Sequence, residues 1–123
     1  VINKTGLIGQ IYNQIGSYAE VILLSDKRHK IPLMDDKNTF FCIGRGMGTP
    51  KKIQCEINND YANENLIDSL MLTSGFGGIL DRGIEVGHVI DTELKSDLVV
   101  ITIGLIADPL LTDKVYILTK NEL

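Results

Sequence analysis

Apolar residues recur along this chain with a period near two, in short runs broken by turn chemistry, and no segment sustains a 3.6-residue apolar repeat. From Gly6 to Ile15, Leu7, Gly9, Ile11 and Ile15 face one way while Gln10, Tyr12 and Gln14 face the other, the alternation of a half-buried strand. Gly16 and Ser17 predict a turn into a second strand, AEVILL (19–24), ended by the charged cluster SDKRHK, and IPLM from Ile31 predicts a third. TFFCI (39–43), KIQCEI, DSLMLTSG, EVGHVIDTEL, DLVVITIGL and KVYILT continue the pattern, with the polar NNDYANEN between two of them. Asp108 before Pro109 predicts an N-cap and first position of one helical turn in ADPLL. About nine or ten short strands at intervals of roughly 8 to 12 residues predict an all-β fold, a sandwich or barrel.

GRGMGTP (44–50) is the best linker candidate, because three glycines and a proline in seven residues break a ladder. A denser cluster follows in TSGFGGILDRGIEVGHV (73–89), which carries Gly75, Gly77, Gly78, Gly83 and Gly87. A phosphate loop needs GxxxxGK[ST] before a helix, and neither the lysine nor the helix signal is present. A dinucleotide fingerprint fails likewise, since GxGG in β surroundings provides no helix N-terminus for a pyrophosphate. Ser74 as a protease nucleophile needs an oriented base. His29 sits in a charged turn and reads as solvated, and His88 reads as a strand-surface or hydrogen-bonded histidine rather than a base. The structural reading accounts for more: Thr73 and Ser74 satisfy local backbone groups, Gly75, Gly77 and Gly78 permit positive φ, Gly83 completes a tight turn, and Gly87 suits a bend or bulge. No catalytic, cofactor or metal site is expected.

Composition narrows the classes further. Hydrophobic residues make up 44% of the 123 residues and charged residues 23%, which describes a globular piece. Twelve Lys and Arg against sixteen Asp and Glu leave a net charge of -4, with no overall field to attract a nucleic acid. No apolar run is long enough to span a membrane, and since the chain starts at Val1, a fragment with an anchor upstream is the expectation. Cys42 and Cys55, thirteen apart and without a CxxC, read first as two free core thiols, with a disulfide as the alternative.

The glycine stretch, together with NKTGLIGQIYNQIGSYAEVILLSDKRHKIPL (3–33), resembles the rod shape-determining protein MreC family. That family has GLxGxV on one strand, a T/S-D turn and an IPV-like strand; here the matching residues are Gly6, Leu7, Gly9, Ser25, Asp26, Ile31 and Pro32. ADPLLTDKVYIL resembles the family's closing strand. The resemblance implies two small packed six-stranded-type β-barrels, distantly chymotrypsin-like in shape and without a catalytic triad. It sets a first β-barrel subdomain at residues 1–46 and a second at 47–123. It also implies a non-enzymatic, extracytoplasmic scaffold of the cell elongation machinery, anchored to the inner membrane through an N-terminal helix. The implied partners are a class B penicillin-binding transpeptidase, MreD and MreB through the anchor-proximal part, and further copies in a dimer or filament.

For a scaffold, function lies in exposed apolar surface. Adjacent Phe40 and Phe41 must face opposite sides of a strand, so one is a candidate for a partner interface. Tyr61 in NNDYANEN is a second candidate, while Tyr12 and Tyr116 read as core-edge residues. The rival readings are a cryptic hydrolase on a protease-like barrel and a peptidoglycan-binding module. With no Trp and seven Phe and Tyr in all, the chain is poorly equipped to stack sugars.

Overall fold

The computed structural model describes residues 1–59, 66–78, 80–111 and 114–118. β1 (Gly9–Ile15) and β2 (Tyr18–Leu23) form an antiparallel hairpin in which Ile15 lies opposite Tyr18 across the Gly16–Ser17 turn. β3 (Lys30–Asp35), β4 (Phe41–Gly46), β5 (Lys52–Asn58), β6 (Leu70–Thr73), β7 (Glu85–Lys95) and β8 (Leu98–Leu105) follow. These six close into one barrel in the order β3-β4-β5-β8-β7-β6, and β6 returns to pair with β3 through Leu33↔Thr73, Met34↔Leu72 and Asp35↔Met71.

Alternation decides what fills the barrel. β5 sends Ile53, Cys55 and Ile57 inward and β8 sends Val99, Ile101 and Ile103 to meet them. Leu33, Ile53, Met71, Val86, Val89, Ile101 and Ile103 are wholly covered, each burial contributing about 1.5–3 kcal/mol. β4 turns Cys42, Gly44 and Gly46 inward and Phe41, Ile43 and Arg45 outward. On β7 the register shifts between Val89 and Asp91, so Ile90 is an extra, outward residue, as a bulge requires. Beyond the bulge, β7 and β8 run on as a hairpin carrying exposed Leu94 and Leu98.

Two packed six-stranded barrels are therefore not what the described residues form: there is one closed barrel and a separate two-stranded sheet. Closure requires every strand to find two neighbours. Among the described residues β1 and β2 pair only with each other, and Ile15 and Tyr18 at their tip stay 60% and 79% exposed. The run expected to close the chain contributes an isolated bridge, Ile2↔Tyr116. The barrel takes β3 and β4 from one side of position 46/47 and β5 to β8 from the other, so its wall crosses the boundary expected there. Gly44 and Gly46 of GRGMGTP are inward positions of β4, and only the second half of that segment forms the turn into β5.

Cys42 and Cys55 form a disulfide between β4 and β5, with Cα atoms 5.8 Å apart and both residues buried. Spacing alone favours free thiols; the intervening hairpin brings the two inward positions together, which linear distance does not reveal. Disulfides persist in oxidising compartments, which agrees with an extracytoplasmic location.

Candidate docking surface

The turn from β3 to β4 is built on Asp35. Its buried carboxylate accepts the N–H groups of Thr39 (2.6 Å) and Phe40 (3.0 Å) and the Thr39 hydroxyl. This anchoring fixes the phase of β4. Phe40 packs into the core at 5% exposure, and Phe41, the next residue, stands outward at 46%. Phe41 does not stand alone: its ring lies 5.1 Å from that of Phe76, at an interplanar angle of 57°. Phe76 is itself 60% exposed, so the pair is an aromatic surface feature rather than part of the core. Tyr61 lies outside the described residues.

Phe76 is presented by the glycine-rich turn. Thr73, fully buried at the end of β6, organises that turn: its hydroxyl donates to the Asp81 carbonyl (2.6 Å) and accepts the Ile84 N–H (2.9 Å), while its carbonyl accepts the Gly83 N–H (2.8 Å). The Ser74 N–H donates to the Pro32 carbonyl (3.1 Å), tying the turn to β3, and the Ser74 hydroxyl accepts the Phe76 N–H (3.2 Å). Gly75, Gly77, Gly78 and Gly83 have φ of 82°, 79°, 69° and 93°. Gly83 most needs to be glycine for its backbone, because it must turn left-handed while donating to Thr73. Gly87 is required for a different reason: it faces inward on β7, where a Cβ would overlap the Gly104 carbonyl oxygen of β8.

Hydrolase chemistry has no support in these contacts. The Ser74 hydroxyl is engaged by the backbone of its own turn, and His88 is exposed on β7. His29, expected to be solvated, is 4% exposed. Its Nε2 lies 2.6 Å from Gln10 Oε1, joining the β1–β2 hairpin to the barrel, and its Nδ1 has no hydrogen-bond partner among the described residues. Burial pushes the His29 pKa down, opposed in part by the charge of Asp26. The described residues contain no group of three or more His, Cys, Asp or Glu able to hold a metal. None of the described helices is long and apolar enough to cross a membrane.

Tyr12 and Tyr116, expected at the core edge, are 52% and 58% exposed. Tyr12 donates to Glu20 across the hairpin (2.6 Å), with the Arg28 guanidinium 5.9 Å over its ring. Of the adjacent pair Phe40 and Phe41, the structure buries the first and exposes the second, and it adds Phe76, which strand alternation does not single out. An aromatic side chain between glycines is the signal: no strand there offers it an inward position.

The family model for rod shape-determining protein MreC, barrel core, matches residues 1–119. The cell shape-determining protein MreC of Caulobacter vibrioides (strain NA1000 / CB15N) is 30% identical over 91 residues, covering 73% of this chain and 25% of that protein. Its counterpart in Escherichia coli (strain K12) is 28% identical over 97 residues, covering 78% of this chain and 26% of that protein. The crystal structure of MreC from Pseudomonas aeruginosa superposes with a TM-score of 0.78 at 24% identity, over 85% of this chain and 68% of that one, a likeness of fold. The chain spans about a quarter of the length of the curated relatives it matches.

Proposed function

This chain belongs to the rod shape-determining protein MreC family, and on that premise we propose that it is a non-enzymatic docking module of the bacterial cell elongation machinery. It binds a class B penicillin-binding transpeptidase on its outer wall and associates with further copies of itself. MreD and MreB are engaged through an inner-membrane anchor region outside this sequence, which holds the barrel on the extracytoplasmic side.

The observation that carries this reading is the exposed Phe41–Phe76 pair, set on a strand and a turn that are both fixed by buried hydrogen bonds. Rigid aromatic side chains lose little conformational freedom on docking, and aromatic anchors dominate interface energetics. The buried Cys42–Cys55 disulfide suits an oxidising compartment.

The test is binding of a purified class B transpeptidase ectodomain to the wild-type chain and to a Phe41→Ser, Phe76→Ser double variant, with circular dichroism verifying the fold. Both residues are outward, so the variant is expected to fold and to bind at least tenfold more weakly. Unchanged affinity together with unchanged light-scattering mass overturns the proposal.

A further inference from the structure

We infer that the outer wall over the β4–β5 seam is a receiving groove for an extended acidic peptide segment. This deepens the docking reading above, on which it rests, by naming the chemistry of what docks beside Phe41.

The seam is the least laddered join in the barrel wall. β4 and β5 are in register only at Arg45↔Gln54 and Gly46↔Ile53, although β4 pairs with β3 as far as Phe41 and β5 pairs with β8 as far as Asn58. Between those points the two strands are held by the Cys42–Cys55 disulfide rather than by a registered ladder. A groove of about 390 Å³ lies over this stretch, lined by Lys30, Ile43, Arg45, Gln54, Cys55 and Glu56. A second groove of about 390 Å³ shares Arg45 and Gln54 with the first and extends it to Lys27.

The charges are arranged against the stability of the free protein. Lys30 and Arg45 stand directly opposite each other on β3 and β4, and like charges in that relation repel. Lys27 adds a third cation, while Glu56 supplies one carboxylate on the β5 side. The ion pairs among the described residues, Arg28–Asp26 and Lys51–Asp108, neutralise none of the three cations. In a chain of net charge -4, such a cluster opposes the overall sign. An anion in the groove relieves the repulsion, so the cost falls on the empty state and is recovered on binding.

The groove favours a peptide over a small anion or a lipid headgroup. Alternate side chains of an extended strand project to one side about 6.8 Å apart, so acidic residues at every second position face the same wall. Ile43, 55% exposed, and Phe41, 46% exposed, continue the outward row of β4 and receive apolar side chains of such a segment. A phosphate uses the cations but neither that row nor the unladdered strands.

Fluorescence polarisation tests this with a labelled octapeptide Glu-Ser-Glu-Ser-Val-Ser-Val-Ser, whose alternate positions present Glu and then Val to the same wall, a matching peptide with Gln in place of Glu, inorganic phosphate as competitor, and phosphatidylglycerol vesicles. The Glu peptide is expected to bind at least tenfold tighter than the Gln peptide, with affinity falling as salt rises. Arg45→Glu, and the milder Lys30→Gln, should each weaken binding while melting no lower than wild type at low salt, because each removes the repulsion. Equal binding of the two peptides, retained affinity in both variants, or vesicle binding without peptide binding overturns the inference. If Arg45→Glu leaves transpeptidase binding intact while Phe41→Ser abolishes it, the groove assignment fails and the docking reading stands. Loss in neither variant removes both.

Discussion

His29 shows how a single side chain couples two parts of the molecule. Its ring is enclosed between the hairpin and the barrel with one nitrogen on Gln10 and the other unpartnered, so a second proton puts a charge and an unsatisfied donor in a buried site. Burial lowers its folded-state pKa below the ordinary 6.5, and the unfolded chain therefore binds the proton more readily. Stability falls as the pH drops through 6.5, and goes on falling until the folded-state pKa is passed. Asp26, held down to about 2 by hydrogen bonds from Arg28, works in a separate window: its contribution is present above 3.8 and is lost as the pH falls toward 2. Thermal melts at pH 7.5 and 5.5 should show a lower Tm at the acid value, and His29→Gln should flatten that difference. A wild-type Tm unchanged between the two contradicts the burial of this ring. Gly87→Val is a second residue-scale prediction. The Cβ meets backbone on β8 and the barrel has no slack, so urea unfolding should register a loss of about 1–3 kcal/mol or more. A midpoint equal to wild type rules out the close approach. Much at this scale was legible in advance: alternation required that Phe40 and Phe41 divide between core and surface. Their phase was not legible, because it is set by Asp35 accepting from the turn, and a run of charged letters around His29 gave no sign that the ring folds inward.

Among the elements, the β4–β5 hairpin depends on its covalent link. With few ladder pairs between these strands, the disulfide closes a loop across a separation of 13 residues, and removing it relaxes the unfolded chain. The chain-entropy model puts that at about 3 kcal/mol for a loop of this length. Cys42→Ala with Cys55→Ala should lower urea stability by about that amount and speed amide exchange in β4 and the facing part of β5. Equal stability of oxidised and reduced wild-type protein contradicts the assignment. Strand positions were readable from period-two patterning wherever one face is buried, as in KIQCEI and DLVVITIGL. The hairpin β1–β2 reads the same way yet leaves most of its apolar side chains exposed, since alternation reports that a strand has two different faces and not that one is covered. The short turn at Pro109–Leu111 was also readable, its Leu110 N–H donating to Asp108 (2.9 Å).

For the whole molecule, what the linear pattern withheld is closure. Which strands meet is decided by long-range pairing, and β3 to β6 contact brings together segments separated by the whole of residues 36–69, which local periodicity does not encode. Among the described residues one barrel therefore stands where two were expected, and its inward residues are committed to packing while Phe41, Ile43, Arg45 and Phe76 stand on the outside, exposed to another surface. The most direct test is a hydrogen-exchange footprint of the wild-type chain with and without a class B transpeptidase ectodomain. Docking through this wall predicts slowed exchange in residues 41–45 and 74–78, with the hydrogen bonds of β8 unchanged. Slowed exchange confined to the β7–β8 hairpin beyond Val89, with none at residues 41–45 or 74–78, contradicts it.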